Sequence, residues 1–406
     1  MNLQTNLLKK GYNPSLSEGS LVTPIFRSST FCFNTAEEGE RSFQIAYGLD
    51  TKKENESPCL IYTRVNNPNM EIVEEKLAVL DNADKSLVFS SGMGAISTTC
   101  LTFLKPDDII LFNEPVYGGT EYLFLNILPQ YNIRCISFKS GIDKQEFQEL
   151  ITLYQDKVKM IVIETPCNPL TLLTSIKMIS QVRNEINRNI IIAVDNTFAG
   201  PFYHQPLNLG ADLVIYSVTK FIGGHGDLVA GSVSGSENLI QQIKVKRTIL
   251  GNIAEPDTCW LIQRSLPTLK LRMDAQQKNA LELVEYLSTQ KHVTNIYYPN
   301  HQTNSKQQLE IFREEYKGSG SLISFELNQS KEKIFQFLNS LKIIKLAVSL
   351  GSLDTLIQHP SSMTHSDLSI EDKNRLGITD NLIRCSVGIE EIQDLIYDLK
   401  QSFLVF

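Results

Sequence analysis

The sequence predicts an α/β protein: a mainly parallel sheet covered by helices on both faces, then a smaller α/β or α+β domain. Two patterns predict the sheet. The short apolar runs "DDIILFNE", "VKMIVIETP", "NIIIAVDNTF" and "ADLVIYSVTK" are each bounded by polar residues or proline. Between several of them lie helix-length segments such as "DKQEFQELITLYQDK" and "LLTSIKMISQVRNEINR". Runs that are apolar throughout suit strands buried on both faces, and an intervening helix returns the chain so that successive strands run parallel. Length predicts the second domain, because 406 residues exceed one ordinary core.

In chain order, residues 1–68 are rich in Ser, Thr, Asn and Pro and lack periodicity, with "YGLDTKKENESP" a polar loop. They form an arm expected to pack on another surface or on a partner subunit. Residues 69–265 form the large domain. It opens with a helical pattern, "NMEIVEEKLAVLDN", and a strand–glycine turn–helix, "KSLVFSSGMGAISTTCLTFL". Residues 266–406 form the smaller domain, with helices in "AQQKNALELVEYLSTQ", "SKEKIFQFLNSLK" and "EEIQDLIYDLKQSFL" and strands in "SLISFELNQ" and "LIRCSVGIE".

A net charge of −7 without a basic block argues against nucleic-acid binding. No apolar run approaches the roughly 18 residues that span a bilayer. The N-terminus has no apolar stretch of a secretory signal. Seven cysteines, odd in number and without close CxxC pairs, suit reduced thiols better than disulfides or zinc. His359 and His365 sit too loosely for a metal site, and no metal is expected. A soluble cytoplasmic protein is the expectation.

Chemistry concentrates in "YSVTKFIGGHGD". Lys220 follows a buried strand, where burial weakens an amine's preference for its charged form and makes it an imine-forming nucleophile. Ser217 and Thr219 supply donors for a phosphate, and the glycines permit a tight turn. A surface lysine in a glycine-rich turn is the plainer alternative. Asp195, at the end of "IIIAVDNTF", suits the ring nitrogen of pyridoxal phosphate, whose protonation draws electrons from a substrate carbanion. In "SSGMGAIS", Gly92 and Met93 open a helix whose N–H groups bind phosphate, although the turn alone equally suits a nucleotide. Together the three features point to pyridoxal 5'-phosphate.

With "YTRVNNPN", "SSGMGAI", "VYGGT", "ETPCNP", "VDNT", "SVTKFIGGHGD", "SLGSLDTLIQHPSSMTH" and "IRCSVGIE" in one order, the chain resembles the Cys/Met-metabolism (trans-sulfuration) family of PLP-dependent enzymes over nearly its whole length. The resemblance implies the fold of type I PLP-dependent transferases (aspartate aminotransferase-like), with a mainly parallel seven-stranded sheet. It implies catalytic roles for Lys220 and Tyr117, the latter stacked over the cofactor ring. Gly92, Met93, Ser217 and Thr219 would hold the phosphate and Asp195 the pyridine nitrogen. Tyr62 and Arg64 would reach the phosphate of a neighbouring subunit, in a homotetramer built as a dimer of dimers. Asn168, Ser349 and Arg384 would bind the amino-acid substrate, Arg384 by its α-carboxylate.

Departures from the family pattern guide the reaction. Cystathionine enzymes of the family often carry an arginine where this chain has Tyr122, after Glu121, and a glutamate where it has Val348. Both changes disfavour a large dicarboxylate. Val348 and "QHPSSMTHS" look more like methionine γ-lyases, although Gly119 replaces their cysteine and Arg247 and Thr248 replace a lysine–aspartate pair. The expected function is γ-elimination on a methionine- or homocysteine-like substrate. The alternative is γ-replacement on an activated homoserine, as in O-acetylhomoserine sulfhydrylase or cystathionine γ-synthase. An aminotransferase and a chemically silent scaffold are the more distant readings.

Overall fold

The computed structural model describes residues 2–51, 53, 56 and 59–406. The polar loop read in "YGLDTKKENESP" lies partly outside them. Seven strands, β1 (Lys85–Phe89), β2 (Ile109–Glu114), β3 (Arg134–Lys139), β4 (Val158–Glu164), β5 (Ile191–Asp195), β6 (Leu213–Ser217) and β7 (Gly231–Gly235), form one sheet in the order β1-β7-β6-β5-β4-β2-β3. The neighbours from β6 to β3 run parallel, and β7 runs antiparallel to both β6 and β1.

Strand residues alternate between two cores, as the pleat requires. Met160, Val162, Ala193, Leu213 and Ile215 face the helices Gly92–Phe103 and Glu237–Leu250. Ile161, Ile163, Ile192 and Val194 face the helices Lys144–Tyr154 and Ile176–Ile186. By the same alternation Glu164, Asp195 and Ser217, at the carboxyl ends of β4, β5 and β6, lie on the first of these faces.

Two strands of the large sheet escape the sequence pattern. β7 is "GSVSG", without an apolar run, yet it is wholly buried. Its glycines are there for close approach: a Cβ on Gly231 would lie 2.2 Å from the carbonyl oxygen of Ser91. β3 is only half-buried at the sheet edge.

The second sheet comprises β8 (Val293–Tyr297), β9 (Leu322–Leu327), β10 (Lys345–Leu346), β11 (Leu356–Gln358) and β12 (Leu382–Ser386), ordered β10-β11-β12-β9-β8. It is antiparallel apart from the β10–β11 pair. The helix Leu269–Ser288 joins the two cores: Leu269 and Met273 belong to the first unit, Ala280, Leu283 and Leu287 to the second. Among the described residues no helix is long and apolar enough to cross a membrane.

The N-terminal arm is more ordered than its sequence suggests. It contains the helices Leu3–Lys9 and Ala36–Ala46. The second starts at Thr35, whose hydroxyl accepts the Glu38 N–H at 3.1 Å, a capping signal readable in "TAEE". Leu7 is buried in this chain's own core, and Lys76 donates to the Leu7 carbonyl. Asn69 accepts from the Phe26 amide and donates to the Pro24 carbonyl, both at 2.9 Å. Trp260 donates to the Thr23 carbonyl at 3.0 Å.

Candidate active site

Lys220 sits in a rigid turn after β6. The Lys220 amide donates to the Ser217 carbonyl (3.0 Å), and the Gly224 amide to the Lys220 carbonyl (2.7 Å). Arg272, from the long helix Leu269–Ser288, donates to the Phe221 carbonyl (2.7 Å). Gly224 has φ +72° and packs so closely on Arg272 that a Cβ would overlap its guanidinium. The Lys220 ammonium donates to Ser349 Oγ at 2.7 Å. Burial first, then the positive charge of Arg384, pushes the Lys220 pKa down to about 8.

Ser349 has φ +86°, a left-handed conformation costly for a side chain with a Cβ and characteristic of functional sites. That bend presents both of its oxygens to the site. Its hydroxyl faces Lys220, and its carbonyl accepts from Arg384 Nη2 at 2.7 Å. Arg384, buried on β12, also donates to Asn168 Oδ1 at 2.8 Å. Gln358 lies opposite Arg384 in the β11–β12 register; with its amide turned so that the oxygen faces the guanidinium, it accepts from Nη2 at 3.0 Å and Nη1 at 3.1 Å. Burial pushes the Arg384 pKa down to about 10, so the guanidinium remains a cation at neutral pH.

Asp195 is buried and accepts from the Thr197 amide (3.0 Å) and hydroxyl (2.5 Å), while Thr197 Oγ1 accepts from the Ser217 amide (2.9 Å). Burial raises its pKa. Glu164 pairs with Asp195 across the β4–β5 register, so two carboxyls share one buried face. Burial and then the Asp195 charge push the Glu164 pKa up, and the Tyr117 and Asn168 amides pull it back. Glu164 Oε2 accepts from the Tyr117 amide at 2.8 Å, and Oε1 from the Asn168 amide at 2.7 Å.

The helix Gly92–Phe103 begins beside Ser217. Its cap, Ser91 Oγ, accepts the Gly94 amide at 2.9 Å. The amides of Gly92 and Met93 belong to its first turn, where N–H groups have no intrahelical acceptor. A Cβ on Gly92 would lie 3.0 Å from Ser217 Cβ, tighter than most side-chain contacts, so glycine eases the close approach of the helix end to β6. Thr219 Oγ1 both donates to the Ala230 carbonyl (3.1 Å) and accepts the Ala230 amide (3.0 Å). Tyr117, half exposed, sets its ring over Gly119, where a Cβ would lie 2.6 Å from ring carbon Cε1 and 3.2 Å from Met93 Sδ.

Lys220, Ser349, Arg384 and Asn168 therefore form one hydrogen-bonded chain. Asp195, Ser217, Gly92, Met93 and Tyr117 form an adjoining wall. Tyr62 and Arg64 stand elsewhere. They line an open cleft of about 790 Å³ with Arg27, Ile253 and Asp257, and Arg64 donates to the Thr248 carbonyl at 2.8 Å. Arg247 is fully buried and pairs with Glu74 at 2.5 Å. His225 closes its own turn on the Gly223 carbonyl at 2.6 Å, and His359 is bonded to Ser362 and the Asp380 carbonyl, both at 2.8 Å. Burial pushes the thiols of Cys167 and Cys385 up to about 12, which disfavours the thiolate.

Four positioning residues escaped the sequence reading: Glu164, Thr197, Gln358 and Arg272. The first three lie inside motifs that were singled out, beside better-known residue types. Arg272 lies in a helix with no local signal.

The pyridoxal 5'-phosphate that the sequence implies fits this arrangement. A buried amine of lowered pKa is held by Ser349, a buried carboxyl takes uncharged donors and suits a cationic ring nitrogen, and a glycine-opened helix start offers N–H groups to an anion.

Comparison with known proteins agrees. Residues 4–404 match the family model described as Cys/Met metabolism PLP-dependent enzyme. An L-methionine gamma-lyase of Fusobacterium nucleatum subsp. polymorphum is 38% identical over 386 residues, covering 95% of this chain and 93% of its own. A cystathionine beta-lyase of Lactococcus lactis subsp. cremoris is 35% identical over 402 residues, covering 99% and 98%. The crystal structure of a cystathionine gamma-lyase from Lactobacillus plantarum, complexed with L-serine, superposes with a TM-score of 0.88 at 32% identity, covering 100% of this chain and 99% of the other.

Proposed function

Because the chain belongs to the Cys/Met metabolism PLP-dependent enzymes, with pyridoxal 5'-phosphate as cofactor, we propose that it is a carbon–sulfur lyase acting by γ-elimination on a small sulfur amino acid. With methionine as substrate, one water is consumed and 2-oxobutyrate, ammonia and methanethiol leave. The γ-carbon–sulfur bond breaks, sulfur takes a proton, and water supplies the oxo oxygen.

The observation that carries this reading is the carboxylate clamp, taken with uncharged side chains at Tyr122 and Val348, the two positions where cystathionine enzymes of the family often carry a charge. Arg384, held by Asn168, Ser349 and Gln358, presents a planar fork for bidentate capture of the α-carboxylate. Tyr122 and Val348 are both more than half exposed and offer no charge to a distal carboxylate. Glu121 beside them is buried, its pKa pushed up to about 7 by burial and then by Glu114.

When bound, the cofactor supplies an electron sink for the charge left by α-proton loss. The chain's own residues do the rest. Lys220, neutral in useful proportion near pH 8, accepts and returns protons at the substrate carbons. Asp195 would hold the ring nitrogen, and Gly92, Met93, Ser217 and Thr219 would hold the phosphate. Tyr117 would lie against the cofactor and take part in acid–base steps. Tyr62 and Arg64 serve the phosphate of a neighbouring subunit in a homotetramer, a role suited to side chains that line an outward cleft. The unbridged, buried Cys100, Cys167, Cys259 and Cys385 suit a cytoplasmic setting.

Gly119, in place of the cysteine of methionine γ-lyases, favours a second reading, γ-replacement on an activated homoserine. Two reactions separate the readings: holoenzyme with methionine, and holoenzyme with O-acetylhomoserine plus sulfide. 2-Oxobutyrate and methanethiol in the first are the expected result. Homocysteine in the second, with no keto acid in the first, overturns the lyase reading. Cystathionine belongs in the same panel, with slow turnover expected.

A further inference from the structure

Glu164 has no role in the chemistry just described, yet it is the most constrained carboxyl in the site. It is 4% exposed, at the last position of β4. Its own backbone is fixed on both sides by Asn113: the Glu164 amide donates to Asn113 Oδ1 at 2.7 Å, and Asn113 Nδ2 donates to the Glu164 carbonyl at 2.9 Å. From this anchor each carboxyl oxygen receives one amide from a different loop. Oε2 takes that of Tyr117, from the loop after β2, and Oε1 that of Asn168, from the loop after β4.

We infer that Glu164 is a positioning residue that ties the Tyr117 loop and the Asn168 loop to the sheet, and through them sets the ring-covering tyrosine and the α-carboxylate clamp. Asn168 Oδ1 accepts from Arg384 Nη1, so the path from Glu164 to the guanidinium is two hydrogen bonds long. A buried carboxyl beside a second carboxyl carries a cost. That cost is offset only if both oxygens are used, and here both are. An amide in its place has a single acceptor oxygen, and its NH₂ would face one of the two backbone donors. Glu164→Gln therefore keeps the shape and releases one loop. Glu164→Asp keeps both acceptors but withdraws them by one methylene. Misplacement of reacting groups by about 1 Å costs on the order of 100-fold in rate.

The inference rests on the site assignment under the proposed function, and the two fail differently. If that assignment is wrong, wild-type holoenzyme shows no borohydride-sensitive visible band. If only this inference is wrong, the band is present and the variants behave as wild type.

The test uses holoenzyme of the wild type, Glu164→Gln and Glu164→Asp. It records the visible circular dichroism of the bound cofactor, binding of the unreactive amino acid glycine by spectral titration, and kcat and KM with methionine across pH. Both variants are expected to take up one cofactor per chain with altered visible dichroism. Glycine affinity should fall about 10-fold and kcat/KM about 100-fold, with Glu164→Asp recovering part of the loss. Wild-type dichroism, glycine affinity, KM and pH profile in either folded variant, whatever its melting temperature, overturn the inference. A third measurement needs no variant. In the wild-type holoenzyme the Tyr117 and Asn168 amides should exchange hydrogen as slowly as those of β4, and exchange at the rate of open loop amides overturns it equally.

Discussion

At the scale of the residue, one amine decides the chemistry. Lys220 is desolvated by the sheet, by the turn that follows it and by the second domain, and the Arg384 charge adds to the effect. Its folded pKa of about 8 lies below its ordinary value of 10.5. Between these two values the unfolded chain binds more protons than the folded one, so stability of the cofactor-free protein rises with pH across that window. The same shift governs reactivity. Uptake of pyridoxal phosphate by the cofactor-free protein, followed by its visible band, should accelerate with pH to half-maximum near 8. Lys220→Ala should abolish the band and lower turnover at least about 1,000-fold, within the range attributed to a lost acid–base group. A half-maximum near 10 would show that the amine is not desolvated as the packing requires.

At the scale of the element, the site is made by strand ends and one helix start. Glu164, Asp195 and Ser217 close three successive parallel strands, where open α/β sheets bind their ligands. β7 is the support on which the helix start rests. A Cβ at Gly231 would intrude 2.2 Å from the Ser91 carbonyl and 2.7 Å from the Gly92 amide. Gly231→Ala should therefore displace the phosphate-facing amides. We expect a loss of about 1–3 kcal/mol in stability, as for other overpacking changes, and cofactor affinity at least about 10-fold weaker by fluorescence titration. An unchanged dissociation constant would separate β7 from the phosphate site. The apolar strands β2, β4, β5 and β6 were legible because double-sided burial demands unbroken apolar runs. β7 was not, because its burial is purchased by small side chains and leaves no hydrophobic pattern. The short strands β10 and β11 are defined by their partners alone.

At the scale of the whole molecule, two sheets contribute to one site. The large sheet supplies Lys220, Asp195 and Glu164, and the smaller supplies Gln358 and Arg384, with Ser349 between β10 and β11. Arg375 pairs with Glu114 across the two units, and a Cβ on Gly118 would lie 3.1 Å from the Thr364 carbonyl, so the Tyr117 loop is overlaid by the second unit. Tyr62 and Arg64 line a cleft of their own, and the proposed function has them serve the site of a neighbouring subunit. Co-expression of Lys220→Ala with Arg64→Ala tests this. Random association puts both defects in one site of each hybrid dimer and leaves the other intact, so about a quarter of wild-type activity should return. Activity no greater than the sum of the two single variants would rule out sharing between subunits.

The linear order of residues determined the fold class and singled out Lys220, Asp195, Gly92 and Ser217 as candidates, each in a local pattern, a strand end or glycine turn, whose meaning depends on near neighbours. Arg384, in the middle of β12, became a candidate only through the family resemblance. Tertiary structure alone decided which of them meet. Ser349 lies 129 positions from Lys220 and Asn168 lies 216 from Arg384, yet each pair is one hydrogen bond apart. It also decided that Glu164 serves two loops and that Arg272 braces the lysine turn. These roles consist of distances between strands and helices remote in sequence, and burial, which sets the proton affinities of Lys220 and Glu164, exists only once the sheets have closed.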